Sequence, residues 1–272
     1  MDLAQRLVDK IDQLPPMPSN VMKLRRAVAD PNMNYNLIAP IIKEDPSICA
    51  DLLRIANSAL YGVGHNVDTV EESIRYFGMP SLVEFVAAAC SERIVRQTFS
   101  KVKNLEEYLN HSRRISLASS LTANMLKVNV HDREVFSITG LLHDIGRLII
   151  MLVANEEKYS KELLGISWDD VQKLVNDERQ LYGIDHAELG MKICKRWQFP
   201  EKIIIGVQRH HTPISGNDIS FEGLVLFISE MVELDNLPEN ILRKSLPPEI
   251  MEKLKITPDT LVELRDLFQQ NS

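Results

Sequence analysis

The sequence predicts an all-α fold, and three observations carry that expectation. Leu, Ile, Ala, Glu and Lys abound, whereas glycine is scarce at 11 residues in 272 and aromatics reach only 6%; that balance favours helix over sheet. Apolar residues return with helical period along most of the chain, and nowhere does period-two alternation persist. Helix start and stop signals recur from end to end. With 44% hydrophobic and 25% charged residues the chain has ordinary globular composition, which excludes general disorder.

The elements follow in order. Asn34 is a candidate cap for a segment carrying Leu37, Ile38, Ile41 and Ile42. Asp45-Pro46 pairs a capping side chain with proline at the first helical position, and Ile48, Leu52, Leu53, Ile55, Ala56 and Ala59 then mark one face. A loop from Tyr61 to Asp68 holds Gly62 and Gly64. A helix follows from about Val70 to Phe77, closed by Gly78 and Pro80, and a longer one runs through Leu82, Phe85, Val86 and Ala89.

Around Ser100 to Asn104 the pattern turns polar, and the domain boundary is expected there. The expected organisation is an N-terminal helical part over 1–103, a helical bundle over 104–235 and a helical extension over 236–272. Within the later parts, helices are expected near 105–127, 132–153, 168–180, 186–196, 200–210, 221–234, 247–254 and 257–269.

The formal net charge of −7 and the shortness of the pairs Arg25-Arg26 and Arg113-Arg114 argue against a nucleic-acid partner. The three cysteines, Cys49, Cys90 and Cys194, lie far apart without a CxxC, which suits small buried hydrophobes in a reducing compartment. The opening Met1-Asp2-Leu3-Ala4-Gln5 lacks the basic and apolar regions of a signal peptide. The most apolar stretch, Leu148 to Ala154, is too short for a bilayer. A cytoplasmic location without a membrane partner is therefore expected.

Chemistry is expected from the histidines. Of seven, five fall in the order His111, His143, His186, His210 and His211, with Asp144 beside His143 and Glu230 on the last long helix. His143-Asp144 interrupts an otherwise apolar run in Gly140-Leu-Leu-His-Asp-Ile-Gly-Arg147. An uncompensated buried carboxylate costs several kcal/mol, so something must balance it. A divalent cation held by neutral imidazoles would do so, and a hydrogen-bonded His–Asp pair tying helices together is the alternative. His131-Asp132 reads differently: Asp132 caps the next helix and His131 is solvated. His65, in the glycine-rich loop, reads as bland. Asp185 is a candidate cap for the helix opened by His186.

At these residues the second half resembles the HD superfamily, named for a pair such as His143-Asp144. The whole chain, over roughly residues 10 to 235, more narrowly resembles HDOD proteins. Leu14-Pro-Pro-Met-Pro18, Ala29-Asp-Pro31, Glu44-Asp-Pro46, Leu52-Leu-Arg-Ile-Ala-Asn-Ser58 with Tyr61-Gly62, and Glu72-Ser-Ile-Arg-Tyr-Phe-Gly78 carry the likeness. His186-Ala-Glu-Leu-Gly190, Trp197-Gln-Phe-Pro200 and His210-His211 extend it. The resemblance implies an HDOD-type helical subdomain packed on an HD bundle, and a signalling or regulatory output role. It also implies that His111, His143 and Asp144 hold one metal and His186, His210 and His211 a second, with Asp144 bridging. Glu230 stands where the family pattern has aspartate. Glu107 stands where some HD-GYP proteins have an extra ligand, with a solvated charged face as its simpler reading. Arg147 stands where HD-GYP proteins commonly have lysine. The Gly-Tyr-Pro signature of the cyclic-dinucleotide branch is missing, since Thr212-Pro-Ile-Ser-Gly216 follows His211.

Two functions are expected to compete. The first is a signalling module whose site binds metal, or a small phosphorylated or nucleotide ligand or a signalling protein, with little or no turnover. The second is a metal-dependent phosphohydrolase, phosphomonoesterase or phosphodiesterase, in which two metals about 3.5–4 Å apart clamp a phosphate; Asp144 and Arg147 would then be the catalytic residues. A metal-free scaffold is a third option. One or two divalent ions are expected, with Fe or Mn favoured by the resemblance and Ni, Co or Zn compatible with imidazole and carboxylate donors.

Overall fold

Helical periodicity becomes sixteen α-helices and one minimal hairpin among the described residues, which are 3–30, 38–57, 67–157, 171–216, 218–234 and 237–272 of a computed structural model. The Asn34 cap, the glycines of the 61–66 loop and His65 lie outside them, as does the side chain of His131. The chain divides into two compact units, one of residues 15–100 and one of residues 1–14 with 101–272.

The first unit contains α2 (Ser19–Ala29), α3 (Ile38–Lys43), α4 (Pro46–Ala56), α5 (Val70–Phe77) and α6 (Met79–Thr98). Its core is Val21, Leu24, Ile38, Ile42, Ile48, Leu52, Phe77, Leu82, Phe85 and Val86, all buried. Asp45 caps α4 by accepting from the backbone N–H groups of Ser47 and Ile48 at 3.0 and 3.3 Å. Thr69 caps α5, and Gly78, at φ 71°, ends it by donating to the Ile74 carbonyl. Asn57 clamps Val67 at both backbone groups, its amide donating to the carbonyl and accepting from the N–H at 2.8 Å each. Arg25 and Glu84 join α2 to α6 through a two-pronged ion pair at 2.7 and 3.1 Å, with 12% of each side chain exposed.

The second unit contains α1 (Leu3–Asp12), α7 (Leu105–Met125), α8 (Val130–Leu142), α9 (Ile145–Glu157), α10 (Val171–Tyr182), α11 (His186–Arg196), α12 (Glu201–Arg209) and α13 (Phe221–Glu233). The strands β1 (Ile214–Ser215) and β2 (Asp218–Ile219) form an antiparallel hairpin between α12 and α13. The chain finishes with α14 (Glu239–Leu242), α15 (Pro248–Leu254) and α16 (Pro258–Asn271). Helices α7, α8, α12 and α13 pack on one another, α9 packs on α11, and α16 packs on α7 and α13. A continuous cluster of Leu224, Ile228, Val232, Leu242, Leu246, Leu261, Leu264 and Phe268 joins the C-terminal helices to this bundle.

Small residues set the helix spacing. The buried face of α7 carries Ser112, Ser116, Ala118, Ser119, Thr122 and Ala123. Two of its hydroxyls are satisfied across the packing, Ser116 with Ser137 at 2.8 Å and Thr122 accepting from Ser229 at 3.0 Å. Gly140 and Gly146 bring the backbones closer still. A Cβ on Gly140 would stand 2.8 Å from the Ile115 carbonyl oxygen, and one on Gly146 would stand 2.0 Å from the His186 carbonyl oxygen. Any side chain at 146 would therefore push α11 away from α9.

Three expectations change. The helix expected over 132–153 is broken at His143-Asp144, where the Arg147 N–H reaches the Asp144 carbonyl in a tighter turn. The cap of α8 is Asn129, accepting from the Asp132 N–H at 3.0 Å, while the Asp132 side chain pairs with Lys202 at 2.6 Å. The apolar stretch is also longer than Leu148 to Ala154. Residues Asp132–Ala154 have the length and composition of a membrane span, but their most apolar window is 78% buried within the protein. They form the centre of the bundle.

Two outcomes test this packing. Gly146→Ala should lower stability by about 2 kcal/mol, within the usual cost of overpacking, and an unchanged urea midpoint would contradict the close approach of α9 and α11. Arg25→Met should cost about 3 kcal/mol because it strands a buried carboxylate, and Arg25→Met with Glu84→Leu should recover most of that loss. Chemical denaturation of the three variants checks it.

Candidate metal centre

Each histidine reaches the bundle interior by a local rule. His111 lies on α7, and His143-Asp144 forms the break between α8 and α9. His186 opens α11, whose cap is Asp185, accepting from the Glu188 N–H at 2.8 Å. His210 and His211 follow the end of α12. The Trp197-Gln-Phe-Pro segment fixes the turn between α11 and α12. Gln198 is left-handed at φ 58°, Trp197 and Phe199 donate backbone bonds to Ile193 and Cys194, and both aromatic rings are buried.

The side chains converge. Asp144 Oδ1 lies 3.2 Å from His186 Nε2 and 3.6 Å from His210 Nε2. Its other oxygen, Oδ2, lies 3.7 Å from His143 Nε2, 3.9 Å from His111 Nε2 and 3.1 Å from Arg147 Nη1. Two candidate ligand groups thus share one carboxylate: Asp144, His186, His210 and His211, and His111, His143 and Asp144. His186 Nε2 stands 2.8 Å from His211 Nε2 and 3.4 Å from His210 Nε2.

The outward nitrogens decide what the inward ones do. His143 Nδ1 meets the Gly140 carbonyl at 2.8 Å and His210 Nδ1 meets the Val207 carbonyl at 2.6 Å, so each Nδ1 carries the proton and donates it. His186 Nδ1 is held in the same way by Glu178 Oε2 at 2.5 Å. The inward Nε2 atoms of the neutral rings are therefore lone pairs. Lone pairs facing each other at such separations repel unless a positive charge lies between them. His143 Nε2 and Asp144 Oδ1 are buried with no hydrogen-bond partner among the described residues. Ligand atoms about 2.1 Å from a common cation stand roughly 3.0–3.4 Å apart, close to the spacings around Asp144 Oδ1. The donor set fits one or two divalent cations.

Burial and charge act together here. Burial drives His143 down to about 3 and His211 well below its ordinary value, which keeps both imidazoles neutral and able to ligate. Burial pushes the Asp144 carboxyl up, but the charges and donors facing it, the Arg147 guanidinium among them, outweigh it and hold it well below the usual range. Burial raises Glu230. His186 and His111 are pushed down by burial but raised on balance, His186 by Glu178 and Asp144, His111 by Glu233 and Asp144.

The remaining candidates are less central. Glu230 Oε2 lies 3.2 Å from His211 Nδ1, and its Oε1 lies 3.7 Å from both His143 Nε2 and His210 Nε2. It sits among the imidazoles at ranges like those of Asp144, but among the described residues it faces His143, His210 and His211 only. Glu107 is exposed and lines the adjoining cavity. Arg147 is neither solvated nor turned outward; 12% of its side chain is exposed and it pairs with Asp144.

Sequence reasoning missed two carboxylates. Glu178 is 2% exposed and accepts from both the backbone N–H of His186, at 2.9 Å, and its Nδ1. Glu233 lies 3.6 Å from His111 Nδ1 and 2.7 Å from Arg114 Nε. One signal for Glu178 was readable: with Leu174, Val175 and Tyr182 it occupies the buried stripe of α10, an odd place for a carboxylate. The site opens into a cavity of about 480 Å³ lined by Asn110, Arg114, Leu174 and Leu234 as well as the charged groups.

Known proteins agree with this architecture. A protein from Shewanella amazonensis SB2B, a candidate phosphohydrolase, superposes with a TM-score of 0.71 at 24% identity, covering 97% of this chain and 93% of that one. A candidate signal transduction protein from Marinobacter aquaeolei VT8 gives a TM-score of 0.71 at 16% identity, covering 97% of this chain and 58% of the other. Both likenesses are of fold. An uncharacterized protein of Treponema pallidum (strain Nichols) is 24% identical over 214 residues, 77% of this chain, and the match spans only 40% of that protein's length. The HDOD domain model matches residues 14–213, from the Leu14-Pro-Pro-Met-Pro motif to just past the double histidine, leaving Glu230 outside. A match across that much of the sequence, with the helical bundle to accompany it, means that the chain belongs to the HDOD domain family.

Proposed function

We propose that this chain is an HDOD-type regulatory protein that holds one or two divalent cations between His111, His143, Asp144, His186, His210 and His211, and uses them to bind a small phosphorylated ligand with little or no turnover. The observation that carries the reading is Asp144, whose two oxygens face two separate groups of imidazoles.

The cavity beside the site supports the ligand class. Its wall carries Arg114 and Arg147, but also the carboxylates of Glu107, Asp144, Glu230 and Glu233. Such a wall repels an anion until cation charge is added, so anion binding depends on metal. A bound divalent cation would polarise a phosphoryl oxygen and acidify a nearby water. The chain's own part is to hold His143 and His211 neutral, orient the imidazoles through carbonyls and Glu178, and keep Asp144 ionised. Arg147 is already committed to Asp144 Oδ2 at 3.1 Å, which limits its reach towards a phosphate. That commitment, with the missing Gly-Tyr-Pro, favours binding over turnover.

A metal-dependent phosphohydrolase is the second reading, favoured by the completeness of the two ligand groups around Asp144. Fe or Mn is the proposed metal, and the regulatory output would pass to a separate signalling protein.

Full-length protein without a histidine tag, reconstituted with Fe or Mn, should retain one or two ions per chain by elemental analysis, and Asp144→Ala should retain none. Calorimetry with inorganic phosphate should give heat only for the loaded protein. No retained metal in the natural sequence would favour a metal-free scaffold. Rapid hydrolysis of a phosphoester by loaded protein, lost in Asp144→Ala, would replace the regulatory reading with the enzymatic one.

A further inference from the structure

The two ligand groups around Asp144 are supported unequally. In one, His186 is gripped twice by a single oxygen of Glu178, which accepts from the ring Nδ1 at 2.5 Å and from the backbone N–H at 2.9 Å. Glu178 is 2% exposed, and its ring partner is wholly buried. In the other, His111 faces Glu233 at 3.6 Å, but Glu233 is shared with Arg114 at 2.7 Å, and the His111 side chain is 18% exposed. The spacings follow the same order: Asp144 Oδ1 stands 3.2 and 3.6 Å from His186 and His210, whereas Asp144 Oδ2 stands 3.7 and 3.9 Å from His143 and His111.

We infer that Glu178 is a positioning residue for the metal centre, and that by orienting His186 and strengthening its electron donation it makes the Asp144–His186–His210–His211 group the one that takes the first cation. The inference rests on the metal-binding reading given above. A carboxylate on the outer nitrogen of a ligating histidine fixes the tautomer, stops ring rotation and increases electron donation through the inner nitrogen. Buried away from solvent, the negative charge of Glu178 acts on His186 with little screening. Glu233 supplies the same kind of contact to His111, but the Arg114 guanidinium offsets its charge, so the His111–His143–Asp144 group is the weaker.

The test is a titration of metal-free, full-length protein with Mn(II) by calorimetry and with Co(II) by visible absorption. The natural sequence should take up its first ion more tightly than any second. Glu178→Gln keeps the shape and the acceptor oxygen but removes the charge. It should weaken the first uptake by about 10-fold or more, the usual effect of losing an outer partner, and shift the Co(II) spectrum of that ion. Glu233→Gln, which alters the support of the other group, should weaken the first uptake much less than Glu178→Gln does. Glu178→Asp, which keeps the charge on a shorter arm, should also weaken the first uptake selectively, and it serves if Glu178→Gln does not fold. Metal uptake by the natural sequence with no selective loss in Glu178→Gln or Glu178→Asp overturns the inference alone. First uptake weakened by Glu233→Gln instead also overturns it. No uptake by the natural sequence removes the metal reading and the inference with it.

Discussion

A carboxylate only 2% exposed, at the centre of a helical bundle, is the constraint on which the second unit turns. Asp144 keeps its charge where desolvation alone would neutralise it, and Arg147 is the single cationic side chain bonded to it among the described residues. Among the groups drawn up on its other sides are the imidazoles of His143 and His210, each donating its outer N–H to a backbone carbonyl and directing a lone pair inward. A neutral imidazole cannot answer a carboxylate's charge by itself, whereas an imidazole and a carboxylate together can answer a cation. Added positive charge between these groups would complete the arrangement, and that is the physical content of calling it a candidate metal centre.

Convergence on Asp144 requires helices to come closer than ordinary side chains allow. Glycine at 140 and 146 lets α8 approach α7 and α9 approach α11 at backbone distance on either side of the His-Asp pair. The serine and threonine face of α7 does the same along its length, and the hydroxyls of Ser116 and Thr122 are paired across the contact with Ser137 and Ser229. Rigid packing of this kind would hold candidate ligands in place in advance of a metal, which lowers the cost of binding.

Several motifs that carry the HDOD resemblance prove to be architectural. Asn57, from Leu52-Leu-Arg-Ile-Ala-Asn-Ser58, clamps Val67 by both backbone groups. Asp45 and Gly78 begin and end helices, and Trp197 with Phe199 anchors the turn that sets His186 relative to His210 and His211. The family pattern thus records how the chain turns at least as much as what it binds. That explains why a strong resemblance leaves the ligand and the reaction open.

The sequence by itself determined the all-helical class, most helix limits in the second half, the caps at Asp45 and Asp185, and the identity of the inward-facing histidines with Asp144. These are local properties: periodicity, capping chemistry and the oddity of a polar pair inside an apolar run. Only the tertiary structure decided that the helix breaks at His143-Asp144, that Asn129 rather than Asp132 caps α8, and that Glu107 lines the cavity while Glu178 and Glu233 contact His186 and His111 from behind. The reason is distance along the chain. Glu233 meets Arg114 across 119 residues of sequence, so neither residue's surroundings are written near it. Glu178 is closer, eight residues before His186, but its role depends on which way α10 turns its buried stripe, and packing alone sets that.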